Sequence, residues 1–426
     1  MEGWKTDKFK NQIQYKSGYT WSKEQERKVQ EPLSVRVLTV TNIQKELDLS
    51  EELYLQSVSD KDKKEKAVSK DWCIAVSSNG NRKRIGNAVF IKDNTDYLFA
   101  SFLTAFKPKE NSDILPNYFF RWLSSHDVQE RITSVSEGTT GLGNLDIRFL
   151  RNMDIIYPEK HEQTAIAAML SKVDEAIAAV QASISAAERL KKSLMQNLLT
   201  GRMKPDGTLR KEDEFYLDEK FGRVPVGWEV KRLKDICLNS GDYGANASAI
   251  DYDETKPRFI RITDIDDFGQ LLDEGKASMA GDNTTKYMLK EDDFLFARTG
   301  DTVGKSLLYK KEMGPAVYAG YLIKYTFDSN LVLPDYFDLI AKSEFFEAFK
   351  IAMKRVGAKP NINSREYCSF KFLLPSDIEE QKKIFGKFAH IDKTQKAKQN
   401  KIALLERLKK SLMQNLLTGK VRVKMV

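Results

Sequence analysis

Seven consecutive residues, Gly300-Asp301-Thr302-Val303-Gly304-Lys305-Ser306, come nearest to a catalytic motif in this 426-residue chain. They approach the pattern of a phosphate-binding loop, in which backbone N–H groups wrap a β-phosphate and a helix follows. That loop needs four residues between its glycines, and here there are three. The run that follows, Leu307-Leu308-Tyr309, has the character of a strand, so ATP binding by this loop is not expected. Methyl transfer to a flipped adenine would call for an Asn-Pro-Pro-Tyr or Asp-Pro-Pro-Tyr run and a glycine-rich strand-to-helix turn for the methyl donor. Neither occurs. His126, His161 and His390 are scattered. Cys73, Cys237 and Cys368 form no CxxC pair, which argues against structural zinc and for a reducing compartment. Carboxylates abound in a chain that is 31% charged, yet no pair stands out for acid–base work. The polypeptide reads as non-catalytic, with no metal site and no cofactor of its own.

The residues that organise the chain are instead the fourteen of Glu-Arg-Leu-Lys-Lys-Ser-Leu-Met-Gln-Asn-Leu-Leu-Thr-Gly. They stand at 188–201 and again, identical, at 406–419. The correspondence continues upstream at a constant spacing of 218 residues: Glu162-Gln163 falls on Glu380-Gln381, Ile166 on Ile384, Val173 on Ile391, Asp174 on Asp392 and Ile184 on Ile402. Each copy predicts one helix of about 40 residues, roughly 60 Å long. The first carries an apolar stripe at Ile166, Leu170, Val173, Ile177, Val180, Ile184, Ala187, Leu190, Leu194 and Leu198. Its steps of three and four residues are those of a coiled-coil seam. The second keeps Ile384, Phe388, Ile391, Ile402, Leu405, Leu408, Leu412 and Leu416, but Gln395 and Lys398 interrupt its middle. Each copy closes on Thr-Gly, a left-handed stop, and Asp377 with Glu380 has the spacing of a capping box before the second. Two related helices can pack antiparallel about a local two-fold, the end of each facing the Glu-Gln start of the other.

Length allows two or three domains, and 41% hydrophobic content with 10% aromatics suits a globular, soluble protein. No apolar run is long enough for a membrane span, the N-terminal residues are no signal peptide, and a cytoplasmic location is expected. A net charge of +8 fits a polyanionic partner. The segments before the helices also correspond. Gly3-Trp4 lies 224 residues before Gly227-Trp228, and Phe9 the same distance before Leu233. Ser17-Gly18-Tyr19 is set on Gly241-Asp242-Tyr243, and Val40-Thr41-Asn42-Ile43 on Ile262-Thr263-Asp264-Ile265. Two hairpins are predicted, from Trp72 and from Phe294, and an aromatic-rich helix after each of Pro116 and Pro334. The expected organisation is an α+β domain at 1–158, a long helix at 159–201 and a charged surface linker at 202–226. A second α+β domain at 227–375, a second helix at 376–419 and a tail at 420–426 complete it.

This doubled order resembles the specificity subunit of type I restriction-modification enzymes. The resemblance rests on Gly3-Trp4 and Gly227-Trp228, on the hairpin segments Ser78-Asn79-Gly80 and Arg298-Thr299-Gly300-Asp301-Thr302, on the two Glu-Gln pairs and on the two Leu-Leu-Thr-Gly ends. It covers essentially the whole chain. It implies two tandem-duplicated α+β target-recognition domains, separated by two long helices that form an antiparallel coiled coil with pseudo-two-fold symmetry. Each domain would read one half of a bipartite, interrupted target in double-stranded DNA. The helices would act as a ruler and as the dock for two methyltransferase subunits that bring S-adenosylmethionine. Two motor-nuclease subunits would bring ATP and Mg. The chain begins almost on its Gly-Trp, a departure from the commonest pattern of that family, so a leading segment is either missing or supplied by the C-terminal tail, which bears on how the first domain's edge is covered.

Lysine, arginine and backbone N–H groups meet phosphates, whereas arginine, asparagine and glutamine on loops read bases. On that basis the DNA-facing candidates of the first half are Asn79, Gly80, Asn81, Arg82, Lys83 and Arg84 at the hairpin tip. The simpler reading of this tip is a solvated turn whose Asn and Gly serve positive φ. The second half offers Arg298, Thr299, Gly300, Thr302 and Lys305. A second pair of loops precedes the helices, with Thr139, Thr140, Asn144 and Arg148 against Lys359, Asn361, Asn363 and Arg365. Lys16-Ser17-Gly18-Tyr19 and Gly241-Asp242-Tyr243 are weaker candidates, and the mixed charges from Lys61 to Lys66 read as a solvated face. The competing reading is a scaffold whose helix pair and α+β domains bind only proteins.

Overall fold

Two short apolar runs facing each other across a polar turn must bury their backbones against further strands, and both halves do so in the same way. The computed structural model describes residues 3–136, 142–281, 284–353 and 360–423. In the first half, Cys73–Val76 pairs antiparallel with Ala88–Phe90, as the hairpin pattern predicts. Leu103–Pro108 lies on the other side of Cys73–Val76, followed by Ile13–Ser17 at the edge. The second half repeats that sheet with Ser306–Leu308, Phe294–Ala297, Leu322–Tyr325 and Asp242–Tyr243. Cys73–Val76 and Phe294–Ala297 are buried at every residue, which is why neither alternates apolar with polar. A second four-stranded sheet in each half closes on a parallel pair: Val35–Leu38 with Leu98–Phe99, and Arg258–Ile260 with Ala316–Tyr318. The predicted aromatic helices are Pro116–Leu123 and Pro334–Ala341, each with proline in its first turn.

One overlay made from the sequence needs correction. Ser17 pairs with Thr104 and Tyr243 with Ile323, and the parallel bridges Tyr19–Ala100 and Ala245–Ala319 follow. Gly18 therefore corresponds to Gly244, not to Asp242. The reason is steric. A Cβ on Gly18 would lie 1.9 Å from the Ala100 carbonyl oxygen, and one on Gly244 2.3 Å from that of Tyr318. Close backbone approach, rather than a turn, requires glycine there.

The two long helices run Lys160–Leu198 and Ile378–Leu416, 39 residues each. Both stop on a left-handed glycine, Gly201 at φ +66° and Gly419 at φ +68°. The threonine before each glycine turns its hydroxyl back to a glutamine carbonyl, Thr200 to Gln196 and Thr418 to Gln414, both at 2.6 Å. The predicted capping box of the second helix is only half made. The Asp377 carboxylate accepts from Glu379 N, while the Glu380 carboxylate turns away to Arg210 and the Trp228 indole N–H.

The chain divides into two compact units, and the division falls inside both helices: Met1–Ala182 with Gln399–Val426, and Ser183–Lys398. In the first unit, Met413 and Leu416 of the second helix, with Leu417 just beyond its end, join a core with Phe9, Tyr118, Ile166 and Leu170. In the second, Leu198 of the first helix, with Leu199 just beyond its end, joins Trp228, Tyr336, Ile384 and Phe388. Within each unit the end of one helix thus meets the start of the other, antiparallel, as the repeated ends predict.

Most seam positions are covered. Ile166, Leu170, Val173, Ile184, Leu198, Ile384 and Leu416 are buried, and Ile177, Leu194, Ile391, Ile402 and Leu412 half-buried. Leu408 is the exception, 48% exposed, as is its counterpart Leu190 at 53%. The adjacent lysine turns inward instead: Lys409 reaches Asp174 at 2.6 Å and Lys191 reaches Asp392. Burial alone would raise the Asp174 carboxyl. The hydrogen bond from Lys409 and the charge of Arg121 outweigh it, so its pKa lies below the ordinary carboxylate range. That pairing contributes stability above the unfolded pKa and loses it as pH falls through the depressed value. The polar interruption is also satisfied, since Lys398 Nζ donates to Ser183 Oγ at 2.7 Å.

The stretch read as a surface linker is folded. It forms a hairpin of Phe215–Asp218 with Gly222–Pro225, and Arg210 lies against Trp228 with its cation 5.4 Å from the ring centre. The tail does the same for the first unit. Arg422 holds Glu162 at 2.8 and 2.7 Å and lies 6.0 Å from the Trp4 ring centre.

Gln163 and Gln381 are fully buried at the helix starts. Gln163 Nε2 donates to the Asp113 and Pro158 carbonyls at 2.8 and 2.9 Å, and its Oε1 accepts from Leu115 N at 2.8 Å. Gln381 repeats all three with Leu331, Pro375 and Leu333. Replacing either glutamine by alanine strands three backbone groups, each costing about 1–3 kcal/mol when buried unpaired. Urea unfolding of Gln163→Ala and Gln381→Ala should show comparable losses of about 3 kcal/mol or more. A midpoint equal to the parent's would contradict this anchoring role.

Candidate nucleic-acid interface

The hairpin tip of the first unit is built by side chains that bond their own backbone. Ser78–Asn79 is a strand stub, and Asn79 Oδ1 accepts from Asn81 N at 2.8 Å. Asn81 Oδ1 then accepts from Lys83 N at 3.1 Å, starting the short 3-10 turn Arg82–Arg84. These asparagines are turn-formers. Positive φ is not the reason, because neither they nor Gly80 adopts it. Gly80 is exposed, and a Cβ there would meet nothing within 4 Å.

The predicted cluster of three cations divides. Arg82 and Lys83 are exposed. Arg84 turns inward, donating from Nη2 to the Val40 and Ile43 carbonyls at 3.0 and 2.6 Å. In the second unit Lys305 does the matching work, donating to the Ile265 carbonyl at 3.2 Å and pairing with Asp267 at 2.8 Å. The loop that looks like a phosphate cradle therefore has its lysine engaged, and it leads into strand Ser306–Leu308 rather than a helix.

The fold brings the two predicted loops of each unit together. In the first, Gly143–Asn144 pairs with Ser78–Asn79, which sets Asn144 beside the hairpin tip. A Cβ on Gly143 would stand 3.1 Å from Arg82 Cγ, so the glycine leaves room for the arginine stem. In the second unit Thr299 bridges Asn361, Gly300 N donates to the Pro360 carbonyl, and Ile362 N donates to that of Arg298. Asn144 and Asn361 are exposed on these loops, whereas Arg148 and Arg365, expected on loops, are exposed in the first turns of the short helices Ile147–Asn152 and Ser364–Cys368. Asn363 is not free for recognition. It caps Ser364–Cys368, accepting from Glu366 N at 3.0 Å. Asp146 caps Ile147–Asn152 in the same way, which is the signal that marks Asn363 as structural. Thr302 Oγ1 closes its own turn on the Thr299 carbonyl. Thr139, Thr140 and Lys359 lie outside the described residues.

Of the weaker candidates, Tyr243 joins the surface of the second unit, while Lys16 is held elsewhere in the first. Tyr243 stacks under the Arg298 guanidinium, 4.9 Å from ring centre to Cζ, and its hydroxyl accepts from Ser364 N at 3.1 Å. Lys16 lies over the Trp72 ring at 4.9 Å and donates to the Ala67 carbonyl. Burial first, and then the nearby charges of Lys66 and Lys107, lower its pKa. A cationic knot of residues far apart in sequence leaves no local signal, so it is invisible before folding. Among the described residues, no group of three His, Cys, Asp or Glu side chains is placed to hold a metal ion. Nor is any described helix long and apolar enough to cross a membrane.

Comparison with known proteins bears on the whole chain. The family model described as the type I restriction modification DNA specificity domain matches residues 1–189 and 225–407. The MjaVIII type I restriction enzyme specificity subunit of Methanocaldococcus jannaschii is 27% identical, over 67% of this chain and 66% of its own length. A putative MjaX specificity subunit from the same organism is 21% identical over 99% of this chain and 95% of its own. The fold is similar to that of the type I restriction-modification S subunit from M. genitalium, with TM-score 0.56, 16% identity, and 99% and 97% of the two chains covered. A chain from a structural study of assembly and conformational transition in the type I R-M system also aligns, with TM-score 0.56, 12% identity and 99% of each chain. With matched α+β units, paired loop surfaces and duplicated helices, the chain belongs to the type I restriction-modification DNA specificity family.

Proposed function

We propose that this chain is the non-catalytic specificity subunit of a type I complex, and that its two units read the two halves of an interrupted sequence in double-stranded DNA. The observation that carries this reading is the repeated pairing of loops. Each unit joins the turn of its central hairpin to the loop before its last short helix, and sets exposed cations and amides on the joint. The frame behind the loops is shared, while the residues on the joint differ: exposed Arg82 and Lys83 in one unit, half-buried Arg298 and exposed Asn361 in the other. Different bases read through one frame is what that contrast supports. The two helices would set the gap between half-sites, supercoiled as a ruler, and dock two methyltransferase subunits that carry S-adenosylmethionine. Two motor-nuclease subunits would supply ATP-dependent, Mg-dependent cleavage. A protein-only scaffold differs in its salt response, because contacts to several phosphates make DNA affinity fall by orders of magnitude from low to high salt. The measurement uses the complex with its methylating partner.

If the units act independently, exchanging residues 1–158 for the matching domain of a relative should change one half of the methylated sequence and leave the other. A change in both halves overturns that independence.

Arg82→Ala should weaken binding to the first half-site by about 1–3 kcal/mol if the arginine is bidentate to a guanine. If it meets phosphate, affinity should fall equally on all sequences and the salt slope drop by about one. Arg84→Ala should behave differently, costing about 1–3 kcal/mol of fold stability through the two stranded carbonyls, with base preference kept. Equal effects of the two variants on base preference would refute this division.

Four extra residues of good helix former after Leu199 add about one turn, roughly 6 Å. With B-DNA rising about 3.4 Å per base pair, the preferred spacer should lengthen by about one or two base pairs while both half-sites stay the same. Methylation of substrates with graded spacers decides it. Undiminished activity at the original gap would mean that the helices are not the ruler.

A further inference from the structure

The geometry assigns to Arg298 the reading of a guanine in the half-site of the second unit, through its two Nη groups, which make no hydrogen bond among the described residues. This rests on the reading of that unit as a DNA-recognition domain. Four arginines of the unit, Arg210, Arg223, Arg232 and Arg261, each meet a carboxylate. Among the described residues, Arg298 meets none. What holds it is orientation rather than charge. Its backbone is fixed from both sides, N donating to the Tyr321 carbonyl at 3.0 Å and its own carbonyl accepting from Ile362 N at 2.9 Å. Its guanidinium lies over Tyr243, and Nε points to Asn361 Oδ1 at 3.5 Å. Tyr243 is fixed in turn by its pairing with Ile323 and by the Ser364 N–H on its hydroxyl.

A phosphate contact needs a positive charge and no fixed plane, which a mobile lysine supplies. A plane held by an aromatic ring, with Nε occupied, leaves two parallel Nη–H donors at a set angle. That fork matches O6 and N7 of guanine in the major groove. Adenine presents an amino donor where guanine has O6, and the pyrimidines lack the pair of acceptors. In the first unit the strand register puts Ser77 at the equivalent place, so the assignment concerns the second half-site alone.

The test is methylation mapping with the full complex of this chain and its methylating partner, for the parent and for Arg298→Ala, Arg298→Lys, Tyr243→Ala and Tyr243→Phe. The parent should require a guanine at one position of the second half-site. Arg298→Ala should lower the preference for that guanine by roughly 5- to 150-fold, with the first half-site read as before, which also reports that the chain is folded. Arg298→Lys should relax the same position, since a point charge lacks the fork. Tyr243→Ala should relax it in part, and Tyr243→Phe should keep it, because the ring remains. A loss equal on all sequences that lysine rescues would make Arg298 a phosphate contact and overturn the assignment. So would a second half-site without guanine, while the reading of the unit stood. A parent complex that methylates no interrupted sequence would overturn both.

Discussion

A buried glutamine amide at the start of each long helix is the interaction on which the architecture depends. The amide supplies two donors and one acceptor in one plane, and each finds a backbone group. One of those groups is the N–H of Leu115 or Leu333, the residue that caps the aromatic helix of the domain. The others are the carbonyl of a proline, Pro375 at the end of the last strand or Pro158 just after it, and a carbonyl of the loop before the aromatic helix. A glutamate would bring an acceptor-only charge to the same place, and a leucine would leave three polar groups unpaired. The amide therefore fixes the exit of the helix from the domain. The glutamate beside it is tied to an arginine from a distant segment, Arg422 for Glu162 and Arg210 for Glu380. Hydrogen bonding from Arg422 holds the Glu162 carboxyl below its ordinary range, against the opposing effect of burial.

The frame repeats more faithfully than the domains attached to it. Lys191 with Asp392 and Lys409 with Asp174 are the same pair in two places, since each residue of one recurs 218 positions from its counterpart in the other. The domain contacts differ. Arg121 adds a second cation to Asp174 and a hydrogen bond to Ser171 at 3.0 Å, whereas Leu339 occupies the matching place in the second unit. The opening tryptophans differ as well. Trp228 donates its indole N–H to Glu380 at 3.1 Å, but Arg422 takes both oxygens of Glu162, and the Trp4 nitrogen is buried without an acceptor among the described residues.

At the loops the structure separates groups that hold the protein together from groups left to meet a ligand. Arg84, Lys305, Asn79, Asn81, Thr302 and Asn363 are engaged with the chain's own backbone. Arg82, Lys83, Asn144, Arg148, Asn361 and Arg365 remain exposed. Composition treats the two sets alike, because an arginine that caps a turn and one that faces solvent are the same letter.

By itself, the sequence determined the doubled order of domains and helices, the hairpins, the aromatic helices and the Thr-Gly stops. Each of these follows from local periodicity, from glycine's access to positive φ or from repetition, and none needs a distant partner. The tertiary structure alone decided which half of each helix belongs to which unit, and that Arg210 and Arg422 cover the tryptophans. It decided that Gly18 answers to Gly244, because a carbonyl some eighty residues away forbids a Cβ there. It turned Lys191 and Lys409 inward in place of Leu190 and Leu408, since an ion pair to the facing helix competes with an apolar contact and the heptad pattern scores only the latter. It also laid Arg298 on Tyr243. Stacking, capping and pairing depend on which residues the fold brings within a few ångströms, and that distance is not written in the order of the chain.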